Sequence, residues 1–243
     1  MLKKPSLLIQ PTTLWDYPSQ HYGKGMQGDQ RYIGATPSYI IWNLLTRYTR
    51  EKDLIVDPMV GSGTTIDVAK DMDREVKGFD IAPFRKDIVK ADARHLPLGK
   101  ETVDFVFVDP PYSDHIQYSE EAACIGRIKA EDPRYFEEME KVIAEIDRIL
   151  KPKRYMGLYI CDSFKKKSGR ISASGASGAA SSASGFVPIG FKIFEMLCRH
   201  FKPADIISVV RHNKNLTRGN WQKAAIPDNF FLRGFNYLFI MKK

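Results

Sequence analysis

Apolar residues recur along this chain in two rhythms. Short runs dominated by apolar and β-branched residues, "DLIVD" at 53–57, "EVKGFDI" at 75–81 and "VDFVFVD" at 103–109, read as strands. The last of these is apolar enough to be buried on both faces. Between the first two, "GSGTTIDVAKDMD" reads as a helix, so 53–81 forms a βαβ unit of the kind that builds parallel sheets. A helical period governs "TPSYIIWNLLTRYT", where Ile40, Ile41, Leu44 and Leu45 make a stripe, Thr36 stands as N-cap and Pro37 takes the first helical position. It returns in "PRYFEEMEKVIAEIDRIL" at 133–150, with Phe136, Met139, Val142, Ile143, Ile146 and Leu150 on one side, acids on the other and Pro152 ending it.

The remaining pattern continues the alternation: "RYMGLYICD" a strand, "FVPIGFKIFEMLCRHF" a helix, "ADIISVVRH" and "FNYLFIMKK" strands. This predicts an α/β fold with a doubly wound, mostly parallel sheet, closed by an antiparallel edge strand from the last two segments. The expected organisation is one domain over 1–243, with a Tyr-, Gln-, Gly- and Pro-rich N-terminal arm at 1–35 and an insertion at 212–233. From Ser168 to Gly185 every residue except Arg170 and Ile171 is Ser, Gly or Ala. Such a composition cannot bury a core and reads as a flexible loop without chemistry.

Composition narrows the partners. A formal net charge of +8 over 243 residues points to an acidic partner, nucleic acid first. Cys124, Cys161 and Cys198 are widely spaced and odd in number, which indicates neither a disulfide framework nor a metal site and suits a reducing, cytoplasmic setting. The apolar stretch after Met1 is too short for a signal peptide, and no segment reaches membrane-spanning length, so no membrane role is expected. The sequence leaves a homodimer open.

Two turns carry the candidate chemistry. In "VDPMVGSGTT", Gly61 and Gly63 follow a strand and open a helix, which is where open α/β sheets bind ligands. No Gly-Lys-Ser/Thr follows, so this is not a phosphate-binding P-loop. Asp80 ends the second strand, where a carboxylate can accept ribose hydroxyls, and Asp92 follows the third, placed for an adenine amine. Singly each is a capping or surface acid; together at successive strand ends they favour an adenosine-containing cofactor. In "VFVDPPYSDH", Asp109 and the Pro110 carbonyl offer two acceptors on a turn stiffened by Pro110 and Pro111. Two acceptors suit an amine whose lone pair must be released from ring conjugation, and Tyr112 could stack on the base that bears it. The glycine turn would then hold a methyl donor and the second turn its acceptor.

"DPMVGSGTT" and "DPPY" in this order resemble the cofactor and catalytic motifs of the S-adenosylmethionine-dependent N4-cytosine/N6-adenine DNA methyltransferases. The resemblance extends over nearly the whole chain, from the "TPSYIIWNLL" helix to the closing "LRGFNYLFIMKK". It implies a Rossmann-like methyltransferase in which Thr36 contacts the amino-acid end of S-adenosylmethionine, Asp57, Gly61 and Gly63 its methionine portion, Asp80 its ribose and Asp92 its adenine. Asp109, Pro110, Pro111 and Tyr112 would be catalytic. Met59 stands where the family usually has Phe, an apolar exchange.

The chain has almost no residues left for the target-recognition domain that many restriction-type members carry. Sequence reading must then come from short loops, a partner, or the shape of a structured substrate. DNA is the favoured substrate and RNA the alternative; a binding module without catalysis and methylation of a small molecule or protein glutamine are the competing classes. The substrate-facing candidates are His115 and Tyr118, just past the catalytic turn, and the loop "RHNKNLTRGNWQKAA". There Lys214, Arg218 and Lys223 could meet phosphates and Trp221 could stack.

Overall fold

Two strands at the centre of the molecule, Val103–Val108 and Leu54–Asp57, are inaccessible along almost their whole length, as their mostly apolar pattern requires. In this computed structural model the described residues are 7–17, 19–23, 25–112, 116–164, 185–212, 216, 219–227 and 229–243, the side chains of residues 220 and 221 excepted. In chain order the elements are β1 (Leu14–Trp15), α1 (Ser38–Tyr48), β2 (Leu54–Asp57), α2 (Thr64–Asp71), β3 (Glu75–Asp80), β4 (Val89–Lys90) and β5 (Val103–Val108). They continue with α3 (Pro133–Ile149), β6 (Leu150–Ile160), β7 (Ser163–Phe164), β8 (Phe186–Val187), α4 (Ile189–His200), β9 (Lys202–Val210), α5 (Asn220–Ala225) and β10 (Phe235–Lys242).

Eight strands form one sheet in the order β1-β9-β10-β6-β5-β2-β3-β4. All neighbours are parallel except those of β10, which runs antiparallel to both β6 and β9. The two closing strands thus pair as expected, but β10 lies inside the sheet, and the edge beyond β9 is taken by β1 from the arm, with Trp15 opposite Val209. This two-residue strand covers β9 only at Ser208 and Val209.

The sheet is covered on both faces. Met139, Val142, Ile143 and Ile146 of α3 join Ile193 and Leu197 of α4 in one core. On the other face Ile40, Ile41, Leu44 and Leu45 of α1 pack with Trp15, Tyr17 and Tyr22 of the arm. These arm aromatics are 1%, 4% and 7% exposed, so the segment without periodicity is ordered by packing. The arm is also tied to α2 and to the turn before it. The Gly28 N–H donates to Asp67 (2.7 Å), the Asp29 N–H to the Ser62 carbonyl (2.9 Å), and the Tyr22 hydroxyl to Asp71 (3.0 Å). Gly28 has φ +82°, and a Cβ there would lie 2.4 Å from Thr64 Oγ1, so only glycine permits this approach.

Helix α1 begins one residue later than its cap signal suggests. Pro37 is the N-cap and no side chain caps the helix; the Thr36 hydroxyl is engaged elsewhere. The Ser/Gly/Ala stretch lies outside the described residues apart from Gly185 itself. Among the described residues no helix is long and apolar enough to cross a membrane, and no cluster of side chains suits a metal ion.

Trp15 is the arm's deepest anchor, its indole N–H donating to the Thr12 carbonyl at 2.7 Å. Trp15→Ala should lower unfolding stability by about 3–5 kcal/mol in urea titrations. An arm merely resting on the surface would lose less than about 0.5 kcal/mol.

Candidate functional site

Three neighbouring strands, β5, β2 and β3, end in or just before Asp109, Asp57 and Asp80, and all three acids face one cleft at the carboxyl edge of the sheet. The cleft encloses about 840 Å³, part of it open to solvent. Its floor is the turn between β2 and α2. Asp57 holds this turn from below, accepting the Met59 N–H at 3.0 Å and the Thr65 hydroxyl at 2.6 Å. Asp80 holds it from the side, accepting the Gly61 N–H at 3.0 Å and the Ala82 N–H at 2.9 Å. Gly61 has φ +48°, and a Cβ there would fall 2.8 Å from the Tyr32 ring, so this glycine lets the arm close over the turn.

Among the described residues, none of these three carboxylates has a salt-bridge partner within 4.0 Å. Burial pushes the Asp57 carboxyl up to about 7 against the bonds from Thr65 and Met59, and it raises Asp80 as well. Asp109 retains some solvent contact as a residue, yet desolvation of its carboxyl, reinforced by the charge of Asp57, pushes it up to about 8. The Thr36 hydroxyl, donating to Asp109 Oδ2 at 2.5 Å, and the more distant charge of Arg211 oppose this rise. The same strand shows the ordinary alternative at its other end. Asp104 is also buried, but Lys151 at 2.9 Å and Arg154 at 2.8 Å more than offset desolvation and hold it below the usual range.

The other predicted residues divide by position. Thr36 lines the cleft through its bond to Asp109 rather than capping α1. Asp92 lines it too, but both its oxygens already accept from Arg94, which also reaches Glu138 on α3; burial raises this carboxyl and Arg94 draws it below the usual range. Gly63 is not in the lining: with φ +83° it faces Arg85, where a Cβ would meet the guanidinium at 2.5 Å. Tyr118 lies in the lining of this first cleft, its ring stacked on Tyr32 at 6.0 Å.

A second, wider cleft opens on the other side of Asp109. Asp109 and Tyr112 line it together with Tyr159, Arg211 and Asn236, and the arm residues Tyr32, Gly34, Ala35 and Thr36 line both clefts. Pro111 lines the first cleft and its carbonyl accepts the Tyr135 hydroxyl at 2.9 Å, which fixes the turn onto α3. Pro110 is buried and lines neither cleft. His115, Lys214 and Arg218 lie outside the described residues, as does the side chain of Trp221; Lys223 is exposed on α5. Sequence reasoning missed Tyr32, Tyr159, Arg211 and Asn236. Only Asn236 left a trace, as one polar residue inside the apolar run "FNYLFIM".

Part of the chain is similar to known proteins. Residues 5–91 match the N6/N4 methyltransferase family model described as DNA methylase. A Type II methyltransferase of Lactococcus lactis subsp. cremoris, M2.LlaDCHI, is 48% identical over 63 residues, a match spanning 26% of this chain and 22% of that protein. The chain therefore corresponds to about a fifth of the length of this curated relative. Among solved structures, TrmN from Thermus thermophilus superposes with a TM-score of 0.52 at 16% identity, over 87% of this chain and 50% of that one. A sarcosine dimethylglycine methyltransferase, so described provisionally, from Galdieria sulphuraria gives 0.51 at 12% identity over 85% and 84%. The [4+2]-cyclase SpnF gives 0.51 at 13% over 90% and 88%. At such identities these likenesses speak for the Rossmann-like fold alone, and a cyclase among them illustrates that fold does not dictate reaction. Through residues 5–91, with their glycine turn and two of its carboxylates, Asp57 and Asp80, the chain is similar to the N6/N4 DNA methylase family.

Proposed function

We propose that the protein, acting as one methyltransferase unit, transfers a methyl group from S-adenosylmethionine to an exocyclic amine of adenine or cytosine in DNA. The observation that carries this reading is Asp109's position in the lining of both clefts, beneath the glycine turn on one side and open to an acceptor on the other.

The first cleft suits the cofactor electrostatically. Three carboxylates raised by desolvation and lacking cationic partners among the described residues leave the site short of positive charge. S-adenosylmethionine, when bound, supplies an electrophilic methyl group on a positively charged sulfur. Asp57 and Gly61 would hold its methionine portion, Asp80 the ribose hydroxyls and Thr36 the amino-acid end. Asp92 is committed to Arg94, so it would serve the adenine with the lone pairs that Arg94 leaves.

In the second cleft Asp109 meets the acceptor. Its Oδ2 is fixed by Thr36, which leaves Oδ1 to accept an amine hydrogen and then the proton that the amine gives up. The raised affinity of this carboxyl for a proton makes it a better base than an exposed aspartate. Tyr112 offers a ring on which a base leaving its helix can stack. The net positive charge supports a polyanionic substrate.

Asp109→Ala should abolish transfer of labelled methyl to DNA while cofactor affinity by calorimetry stays within a few-fold. Asp80→Ala should instead weaken cofactor binding by about 1.5–3 kcal/mol, the worth of a hydrogen bond to a charged group. Nucleoside mass spectrometry on DNA and RNA incubated with labelled cofactor tests the substrate class, and label appearing only in RNA or in protein would overturn the assignment to DNA.

The pH dependence has a definite sign. Asp109 binds its proton more tightly in the folded chain (about 8) than in the unfolded one (3.8), so its ionisation increasingly opposes folding as pH rises from about 4 to 8. Asp109→Asn should therefore gain unfolding stability over the wild type through that window and hold a constant advantage above it. A difference independent of pH in denaturant titrations would show that Asp109 is not the buried acid described.

A further inference from the structure

Strand alternation sends Leu238 and Ile240 of β10 to the α1 face, and Phe239 and Met241 to the α3 and α4 face. Asn236 shares the side of Leu238 and Ile240, where an apolar residue would be ordinary. It is 3% exposed and borders the second cleft. It shares the cleft wall with Tyr159 of neighbouring β6, and its Oδ1 has no partner among the described residues. Asn43, a second buried asparagine on the same face, shows what a structural amide looks like. Its Nδ2 donates to the Tyr17 hydroxyl (3.3 Å) and the Tyr39 carbonyl (3.1 Å), and its Oδ1 accepts the Gln10 N–H at 2.8 Å. An amide oxygen buried without a donor is costly, and such a group survives where a ligand supplies the missing partner.

We propose that Asn236 is a specificity-determining residue for the acceptor, its Oδ1 accepting a hydrogen bond from the amine edge of the base in the second cleft. This rests on the reading of that cleft as the acceptor site. An unpartnered amide oxygen on the cleft wall accepts but cannot donate, so the position favours an N–H and disfavours a lone pair. Arg211, on the same wall, is held by its backbone N–H to the Gly234 carbonyl (3.0 Å) and by Nη1 to Cys161 Sγ (3.1 Å), which keeps a cation beside the pocket without filling it.

The test compares the wild type with Asn236→Leu, which removes the oxygen at similar volume, and Asn236→Asp, which keeps it. The probes are mixed-sequence duplex DNA, and deoxyadenosine or deoxycytidine against the same nucleosides with hydrogen in place of the amine. Asn236→Leu should raise the KM for DNA about tenfold, and the preference for the amine-bearing nucleoside should shrink by a similar factor. Cofactor affinity should stay within twofold, and the unfolding midpoint should be unchanged or higher. Asn236→Asp should retain acceptor binding within about threefold. Unchanged acceptor binding in Asn236→Leu, or equal losses of cofactor affinity, acceptor affinity and stability, would overturn the proposal and make Asn236 a packing residue. If the wild type methylates neither DNA nor nucleoside yet binds the amine-bearing probes through Asn236, the proposed reaction fails and the recognition role stands.

Discussion

The carboxylates of Asp57, Asp80 and Asp109 stand side by side at the ends of β2, β3 and β5, where desolvation opposes their charge and no salt bridge forms among the described residues. Their stabilisation comes from hydrogen bonds, and those bonds shape what surrounds them. Asp57 and Asp80 take N–H groups from the turn after β2, so the turn's conformation and the acids' solvation are one arrangement. Removing either acid would take away the carboxylate that accepts a turn N–H. Asp104, paired with Lys151 and Arg154 at the other end of β5, shows that the chain neutralises a buried carboxylate where charge has no use. The contrast along one strand separates an acid paired with cations from one raised by desolvation.

The arm completes what the sheet begins. A parallel sheet supplies strand ends and a helix N-terminus, but these form an open shelf. Tyr17, Tyr22 and Trp15 anchor the arm in the core, and the bonds from Gly28 and Asp29 to α2 and the glycine turn bring Tyr32 across Gly61. Tyr32 and the residues up to Thr36 then wall both clefts, and Thr36 holds the carboxyl that joins them. The walls of both clefts are thereby coupled to the packing of a segment whose described residues have little regular structure.

The inward position of β10 has a comparable effect on the second cleft. Lying between β6 and β9, it carries Asn236 beside Tyr159 and places Arg211, at the end of β9, on the same wall.

Periodicity and turn chemistry determined the alternation of strands and helices, the parallel core and the two turns with Asp57, Asp80 and Asp109, because these depend on residues close in sequence. A β-branched run is a strand wherever it packs, and glycines after it open the next helix. Tertiary structure decided what short-range pattern cannot encode. Thr36 carries a cap's signature, yet it bonds to Asp109, 73 residues away, because α1 is laid across the sheet at that height. Asp92 looks like its neighbours in sequence but is claimed by Arg94 and, through it, by Glu138 on α3. The aromatic residues of the arm and the lone polar residue of β10 have no meaning until the opposing surfaces are in place. Their roles come from burial and from partners distant in the chain, and both are properties of the fold.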